Sequence, residues 1–278
     1  MKDEFNSATY LSQVRRLTSL AKDALKEFSV KKYELKFINH GENTTFKILT
    51  KKQNFLLRIH CRSHRSQLAF LEELKWLDFL SKRTSIPVQK PVQTKSGRYL
   101  VKINNSKVGH FRYCDLLEWQ NGYIKNKKAP TTFFEVGNLI GKLQCNTIKS
   151  KHRFYWDTNG LLGKKATLGG VAALAAEYPK HIDELNLLRR QLFKKVKSYE
   201  KKNSDKLSLI HADLHFGNMI WRKNTICPID FDDCGYGLNM YDLAVTLAQS
   251  SRYFDRVGKK ESLKSKEALL DGYSIHKV

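Results

Sequence analysis

Acidic residues are scarce in this chain of 278 residues: 27 Asp and Glu stand against 50 Lys and Arg, a formal charge of +23. Such an excess attracts nucleic acid, anionic lipid or phosphorylated ligands, and it repels a polycationic substrate unless a local acidic pocket outweighs it. The basic residues are spread through "KKYELK", "KNKK", "FKKVKSYEKK" and "VGKKESLKSK" without one dominant arm. No nucleic-acid-binding motif accompanies them, so solvated faces are expected and a nucleic-acid partner is not. Cysteine is sparse as well. Its five copies, at 61, 114, 145, 227 and 234, are scattered singly with no Cys-x-x-Cys pair, which excludes a disulfide framework or zinc ribbon and points to core packing in a reducing compartment. Long apolar runs are lacking: nothing approaches the roughly 18 to 20 residues of a membrane-spanning helix, and "MKDEFNSATYLSQVRR" has no apolar core of a secretory signal. A cytoplasmic location is the expectation. Internal repeats and low-complexity segments are missing too, and a hydrophobic content of 41% suits one large domain or two lobes of a soluble enzyme.

What is present is organised by two periodicities. Val14, Leu17, Ala21, Ala24, Leu25 and Phe28 recur at helical spacing over residues 10–28. The period then drops to two in "YELKF", "TTFKI" and "NFLLRIH", which predicts three antiparallel strands. Between the first two strands lies "NHGENTT", residues 39–45, a polar turn with one glycine. It serves either to close a hairpin or to place backbone N–H groups over phosphates. Phe70, Leu74 and Leu77 mark a helix from Ser66 that stops before Pro87, and "GRYLVKI" gives a further strand. After the turn "WQNGY", Thr132 and Glu135 have capping-box spacing at the head of a helix expected over 132–147. A second stripe of Leu185, Leu188, Leu192, Val196 and Tyr199 predicts a helix over 182–200, and "KLSLI", "NMIW" and "TICPID" read as short strands.

The last three runs flank the densest polar chemistry. "LIHADLHFGNMIW", residues 209–221, joins two of them, and the third ends in "PIDFDDCGYG". A polar loop between rigid strands can hold carboxylate and amide groups within the tolerance chemistry demands. Asp213 and Asn218 are five apart and Asp230 is twelve further on. The protein-kinase catalytic loop H-R-D-x-x-x-x-N has the same Asp-to-Asn interval, with the D-F-G aspartate on a later strand end. Moving a phosphoryl group from ATP requires a hard cation, oxygen ligands for it, and an acceptor for the hydroxyl proton. Asn218 and Asp230 suit the metal-ligand role, and Asp213 suits the base. His211 is read as an anchor for the loop. The competing chemistry is a metal-dependent hydrolase using His211, Asp213, His215 and Asp230, against which stands the order of kinase elements elsewhere in the chain.

"HADLHFGN", "IDFDDCGYG" and "YDLA", together with "NHGENTTF", "FLLRIH", "LEELKWLDFL" and "FYWDTNGLLG", resemble the aminoglycoside phosphotransferase and choline kinase-like family, in its branch of homoserine kinase-type and stress-response-kinase-type members. The resemblance implies an α+β, two-lobed protein-kinase-like fold: a small antiparallel sheet lobe with one helix, and a larger, mainly helical lobe that carries the substrate. Its divisions are an N-terminal helix at 1–29, a nucleotide-binding lobe at 30–118 and a catalytic lobe at 119–278. It implies ATP and Mg²⁺ as cofactors, Asp213 as catalytic base, and Asn218 with Asp230 as metal ligands, supplemented by Asp232 and Asp233. Arg58 falls where the family contacts ATP phosphates, and Glu73, or Glu72 in its place, falls where a helix carboxylate holds that cation. Arg58 alternates with Leu57 and Ile59 and so faces away from them. An arginine at this place, unlike a lysine, binds oxygens in pairs.

Gly41, Asn43 and Thr44 match the phosphate-covering turn, and the segment from Leu117 through Trp119 to Gly122 matches the connection whose backbone binds adenine. Asp242 is expected to be a structural hydrogen-bond acceptor near the catalytic loop. Ala212, where protein kinases have arginine, implies no activation-loop phosphosite control. Family members commonly continue past the equivalent of "ALLDGY", whereas this chain stops at Val278. The implied reaction is transfer of the γ-phosphoryl group of ATP to a hydroxyl of a small molecule, with aminoglycosides disfavoured by the charge. The alternatives are a Ser/Thr protein kinase with a protein substrate, and a degenerate kinase acting as a basic binding module.

Overall fold

A computed structural model describes residues 5–61, 65–149, 154–163, 166–167, 170–204, 207–223 and 225–276. Val278, where the chain stops, lies outside them. Contacts divide the chain into two units, Met1–Arg83 with Val88–Asn121, and Thr84–Pro87 with Gly122–Val278.

In the first unit the helical stripe forms α1 (Tyr10–Glu27), whose first turn is capped by the Thr9 hydroxyl accepting from the Ser12 amide at 3.4 Å. The period-two segments form β1 (Glu34–His40), β2 (Asn43–Leu49) and β3 (Phe55–His60). After α2 (Gln67–Arg83), β4 (Leu100–Asn105) and β5 (His110–Glu118) complete an antiparallel sheet of order β1-β2-β3-β5-β4. The inner face of α1, including Leu17, Leu20 and Leu25, packs on Phe46, Ile48, Leu57, Ile59 and Val101 of one sheet face. Because Cβ direction alternates along a strand, Arg58 and His60 are turned to the opposite face, where α2 supplies Glu73 and Phe70.

β5 has no counterpart among the expected strands. It lies between β3 and β4, and Cys114, Asp115, Leu116 and Leu117 are buried in succession. A strand covered on both faces loses the alternation by which strands are recognised.

The second unit contains β6 (Tyr123–Ile124), α3 (Pro130–Cys145), β7 (Phe154–Trp156), α4 (Thr158–Leu162), α5 (Gly170–Glu177) and α6 (Ile182–Lys202). These are followed by β8 (Leu207–Ile210), β9 (Met219–Arg222), β10 (Thr225–Pro228), β11 (Gly235–Leu238), α7 (Met240–Ala248) and α8 (Ser251–Ser274). Two small sheets, β10-β9-β6 and β7-β11-β8, accompany the helices. The overall class is α+β, as expected.

Two local expectations are corrected, the capping box and the burial of every cysteine. The capping box at Thr132 does not form: α3 starts two residues earlier, with Ala129 at the cap and Pro130 in the first turn, and Thr132 is buried. Proline's fixed φ and missing N–H suit that first turn, so no side-chain cap is required there. Glu135 instead pairs with Lys125 at 3.7 Å. The apolar stripe of α6 lies on one face as expected, yet no residue of this helix is buried. Among the cysteines, which form no disulfide, Cys114, Cys227 and Cys234 are core residues, whereas Cys145 is exposed at the end of α3.

The crossing of α3 and α8 depends on glycine. A Cβ on Gly137 would lie 2.0 Å from the Leu269 carbonyl oxygen, and one on Gly272 would lie 2.0 Å from that of Phe134. Both obstacles are backbone, so a methyl group there can be accommodated only by separating the helices. Gly137→Ala is expected to cost about 3 kcal/mol, the upper end of ordinary overpacking. Its thermal unfolding midpoint should fall well below that of an alanine at exposed Lys142 on the same helix.

Candidate active site

In the first unit the side chains expected to meet phosphate converge on a buried ionic cluster. Arg58 Nη1 donates to Glu73 Oε1 at 2.7 Å, which selects Glu73 over Glu72. Its Nε and Nη2 donate to Asp115 Oδ1 and Oδ2 at 2.9 and 3.0 Å, a forked pairing that lysine cannot make. Burial pushes the Asp115 carboxyl up, but the charges and hydrogen bonds of Arg58 and His60 overrule it and hold the group below its ordinary value. Asp115 is therefore ionised and can only accept. His60 Nε2, 2.6 Å from Asp115 Oδ2, carries the proton between them.

His60 also stacks on Phe70 with ring centroids 3.9 Å apart, and its Nδ1 lies 3.2 Å from Asn43 Oδ1. Asp115 and His60 were not singled out from the sequence. His60 shares strand parity with Arg58, a signal that was available; Asp115 sits on the strand that alternation did not reveal.

The turn at 39–45 is tighter than expected. Pairing of Asn39 with Thr45 and His40 with Thr44 carries the strands inward, leaving the tip at Gly41 and Glu42. Asn43 and Thr44 lie in β2, where the Thr44 hydroxyl meets His40 Nδ1 at 2.7 Å. The fold itself makes no demand for glycine at the tip, since a Cβ on Gly41 would meet nothing nearer than Asn39 Nδ2 at 3.4 Å. At the other end of the unit Leu117 is buried, pairing with Leu56. The Glu118 and Trp119 amides are committed to Lys90 and Asn54 carbonyls at 2.8 and 3.0 Å. The Trp119 backbone N–H is therefore not available to adenine, and Lys47 Nζ covers its ring 4.1 Å from the centroid.

In the second unit β8 delivers the chain into His211–Asn218, and β10 delivers it into Asp230. Asn218 Nδ2 donates to Asp213 Oδ2 at 2.9 Å and to the Asp213 carbonyl at 3.0 Å. An amide that spends its NH₂ on Asp213 turns its oxygen, Oδ1, away from that carboxylate. Ile229 N donates to the Asn218 carbonyl at 2.9 Å, so Asp230 is fastened next to Asn218. His211 Nε2 donates to the Ile229 carbonyl at 3.1 Å and reinforces the same link.

Ala212 and Asp230 both hold left-handed backbone, with φ of 69° and 63°. For residues other than glycine this costs about 1–3 kcal/mol each and persists only where the surroundings impose it. At Ala212 the cause is Asp242, whose two carboxylate oxygens receive the Ala212 and His211 amides at 2.8 and 3.2 Å. Asp242 is thus the structural acceptor anticipated for it. Gln144 Nε2 donates to Asp242 at 3.2 Å, and Tyr273 donates to Gln144 Oε1 at 2.8 Å, so α3 and α8 support the loop from behind.

Burial raises the Asp213 carboxyl above the ordinary range; His215 opposes this, the charge of Asp233 adds to it, and the Asn218 hydrogen bond opposes it. A carboxylate of raised pKa is a better proton acceptor. His211 is neutral, its pKa brought to about 4 by burial. Both its ring nitrogens serve the loop, Nδ1 receiving the Asp213 amide at 3.4 Å. Among the described residues no group of three or more His, Cys, Asp or Glu is placed to hold a metal ion. The four-ligand hydrolase arrangement is overturned by the engagement of His211.

His211 also gives acid sensitivity of a stated sign. Its folded pKa, about 4, lies below its ordinary 6.5, so the unfolded chain takes up the proton first and stability falls as pH drops from 6.5 towards 4. Asp242, raised to about 6 chiefly by burial, acts oppositely: its contribution is complete below its ordinary 3.8 and is lost as pH rises through 6. His211→Gln keeps a donor for the Ile229 carbonyl and removes only the first effect. Urea midpoints should show the variant gaining on the unsubstituted protein between pH 6.5 and 4, by at most on the order of 3 kcal/mol.

This fold and this loop pair define a class. The model of the phosphotransferase enzyme family (APH) matches residues 34–274, and the chain belongs to that family. Amicoumacin kinase of Bacillus subtilis (strain 168) is 24% identical over an alignment of 241 residues that covers 81% of this chain and 66% of that protein. The chain thus spans a little under two thirds of that relative's length. A solved amicoumacin kinase in complex with AMP-PNP, Ca²⁺ and Ami superposes with a TM-score of 0.73 at 21% identity, covering 99% of this chain and 80% of that one. The microcompartment-associated aminopropanol kinase gives 0.69 at 24% identity, with 94% and 81% covered. Among the described residues no helix is long and apolar enough to cross a membrane.

Proposed function

We propose that the chain transfers the γ-phosphoryl group of ATP to a hydroxyl of a small molecule, with Mg²⁺ as the accompanying cation. The observation that carries this reading is the Asn218 amide bonded to the Asp213 carboxylate at 2.9 Å, on a loop fastened to Asp230 through Ile229. It holds a proton acceptor against the Asn218 amide and ties the backbone next to Asp230 to the same residue; a base and two hard oxygen donors are what phosphoryl transfer requires and what Mg²⁺ prefers. The donor set fits that ion: Asn218 Oδ1, turned away from Asp213, and the exposed carboxylate of Asp230 would hold it. Bound there, the ion neutralises phosphate charge.

The chain's own residues do the rest. Asp213 accepts the hydrogen bond of the acceptor hydroxyl and orients its oxygen towards the γ-phosphorus. As the new O–P bond forms, the bond from phosphorus to the β–γ bridging oxygen breaks. ADP carries away that electron pair, and the hydroxyl proton passes to Asp213 and on to water. The Gly41 tip lets backbone approach phosphate oxygens closely, while the Arg58 guanidinium is spent on Glu73 and Asp115.

Incubation with γ-labelled ATP and a panel of hydroxylated small molecules, with Mg²⁺ titrated, tests the proposal. Label is expected on an acceptor and only in the presence of the cation. Absence of transfer to every member, together with absence of nucleotide binding, overturns it.

A further inference from the structure

The second unit contains a cavity of about 420 Å³ walled by α4 and α5 on one side and α6 on the other, with Trp156 and Tyr241 also contributing. Leu161, Leu185 and Leu188 belong to its lining, which is almost wholly apolar. Its position relative to the catalytic loop is set by shared packing. Trp156 forms one buried cluster with Ile210 and Ala212, and Leu161 and Tyr241 pack against that cluster. Ala212 is the residue immediately before Asp213. The Trp156 indole donates to the Asp233 carbonyl at 2.8 Å and stacks on Tyr241 with centroids 5.5 Å apart. The Tyr241 phenol is held protonated by burial and by the charges of Asp233, Asp242 and Asp213.

Charge narrows what the cavity can hold. Among the described residues lining it there is no carboxylate, and the charged one is Arg189, whose Nη1 donates to the Leu162 carbonyl at 2.8 Å. A polycation entering this space would lose its hydration without gaining a counter-charge. An apolar ring or chain would gain by leaving water, and the volume lies within the range of sites for small organic molecules.

We propose that this cavity holds the body of the phosphate acceptor, and that the acceptor is an alcohol with a predominantly apolar, ring-sized body, neutral or carrying one negative charge towards Arg189, in place of a polycationic amino sugar. This rests on the phosphotransferase reading for the transfer step, which is the one balanced above, with the alcohol oxygen as the new bond to phosphorus. The binding part stands without it.

Equilibrium dialysis with 2-(2-naphthyl)ethanol, which is fluorescent and neutral, separates the two. The unsubstituted protein should bind the probe without nucleotide. Leu188→Glu, which introduces a carboxylate at the wall, should weaken binding at least tenfold, while Leu187→Glu, one residue away and outside the lining, should change it less than twofold. Both positions are about half exposed, 51% and 52%, so neither change threatens the fold. With labelled ATP the probe should become phosphorylated, and Leu188→Glu should raise KM for the probe with KM for ATP unchanged. Equal binding by both variants overturns the proposal, and so does transfer to an aminoglycoside in preference to the probe. Probe binding lost in Leu188→Glu alone, with no transfer to any alcohol, keeps the cavity assignment and sinks the phosphotransferase reading instead.

Discussion

Asp213→Ala is expected to lower kcat for phosphoryl transfer by roughly 10²–10⁴-fold, the usual contribution of a positioned general base, with little change in affinity for ATP. The side chain is bonded to Asn218 and is proposed to meet the acceptor hydroxyl, not the nucleotide. Its raised pKa makes it a stronger base than a solvated aspartate, so its removal forfeits more than a surface carboxylate would. Asp213→Asn separates two parts of the role: it retains an oxygen that can orient the hydroxyl but cannot take the proton. Steady-state kinetics with labelled ATP, beside calorimetric nucleotide binding, check both variants. If each stays within about threefold of the unsubstituted enzyme, Asp213 is not the base.

The second large effect is expected at Arg58. Arg58→Met would leave Asp115 and Glu73, which are 0% and 2% exposed, without the cation that lies between them. Removing one member of a buried ion pair costs about 3–5 kcal/mol, because the charge left behind can be neither hydrated nor compensated. Asp115 then loses the interaction that keeps it ionised, and only His60 remains to hold its Oδ2. A double variant with Asp115→Asn should recover part of the loss, since it removes the stranded charge while keeping an acceptor for His60. Urea unfolding measures both. A single variant within about 1 kcal/mol of the parent would falsify the assignment of a buried, mutually dependent cluster.

The parts of the site that were legible in the sequence share one property. They are separated by a few residues and carried on a repeating local geometry. Asp213 and Asn218 are five apart on one loop, so their interval alone reports that they meet, and the structure has them bonded. The opposed faces of Leu57 and Arg58 follow from the pleat of a strand. Helix α8, which is kinked at Gly258 where φ is 76°, was not legible. It buries Ser262, Ser265, Leu269 and Gly272, mostly small residues, with Leu269 against Gly137 and Gly272 against the Phe134 backbone of α3, while Leu263 and Leu270 are exposed among charged residues. A helix that packs by close backbone approach shows no apolar stripe.

Asp115 shows the limit most clearly. It pairs with Arg58 across 57 residues of chain, from a strand buried on both faces, and no local window contains both members. The stripe of α6 was legible as a stripe, but whether it faces a sealed core or an open cavity depends on what α4 and α5 leave uncovered.

The resemblance of its motifs to a known family gave the α+β class and the family from the sequence alone, and motif spacing gave the loop on which Asp213 stands beside Asn218, because each motif is a property of neighbours along the chain. Tertiary structure alone decided that Asp115 and His60 complete the Arg58 cluster, that Asp242 holds the backbone amides of His211 and Ala212, and that an apolar cavity shares its packing with Ala212 on the loop before Asp213. These depend on which distant segments exclude water from one another, and that is settled only when the whole chain packs.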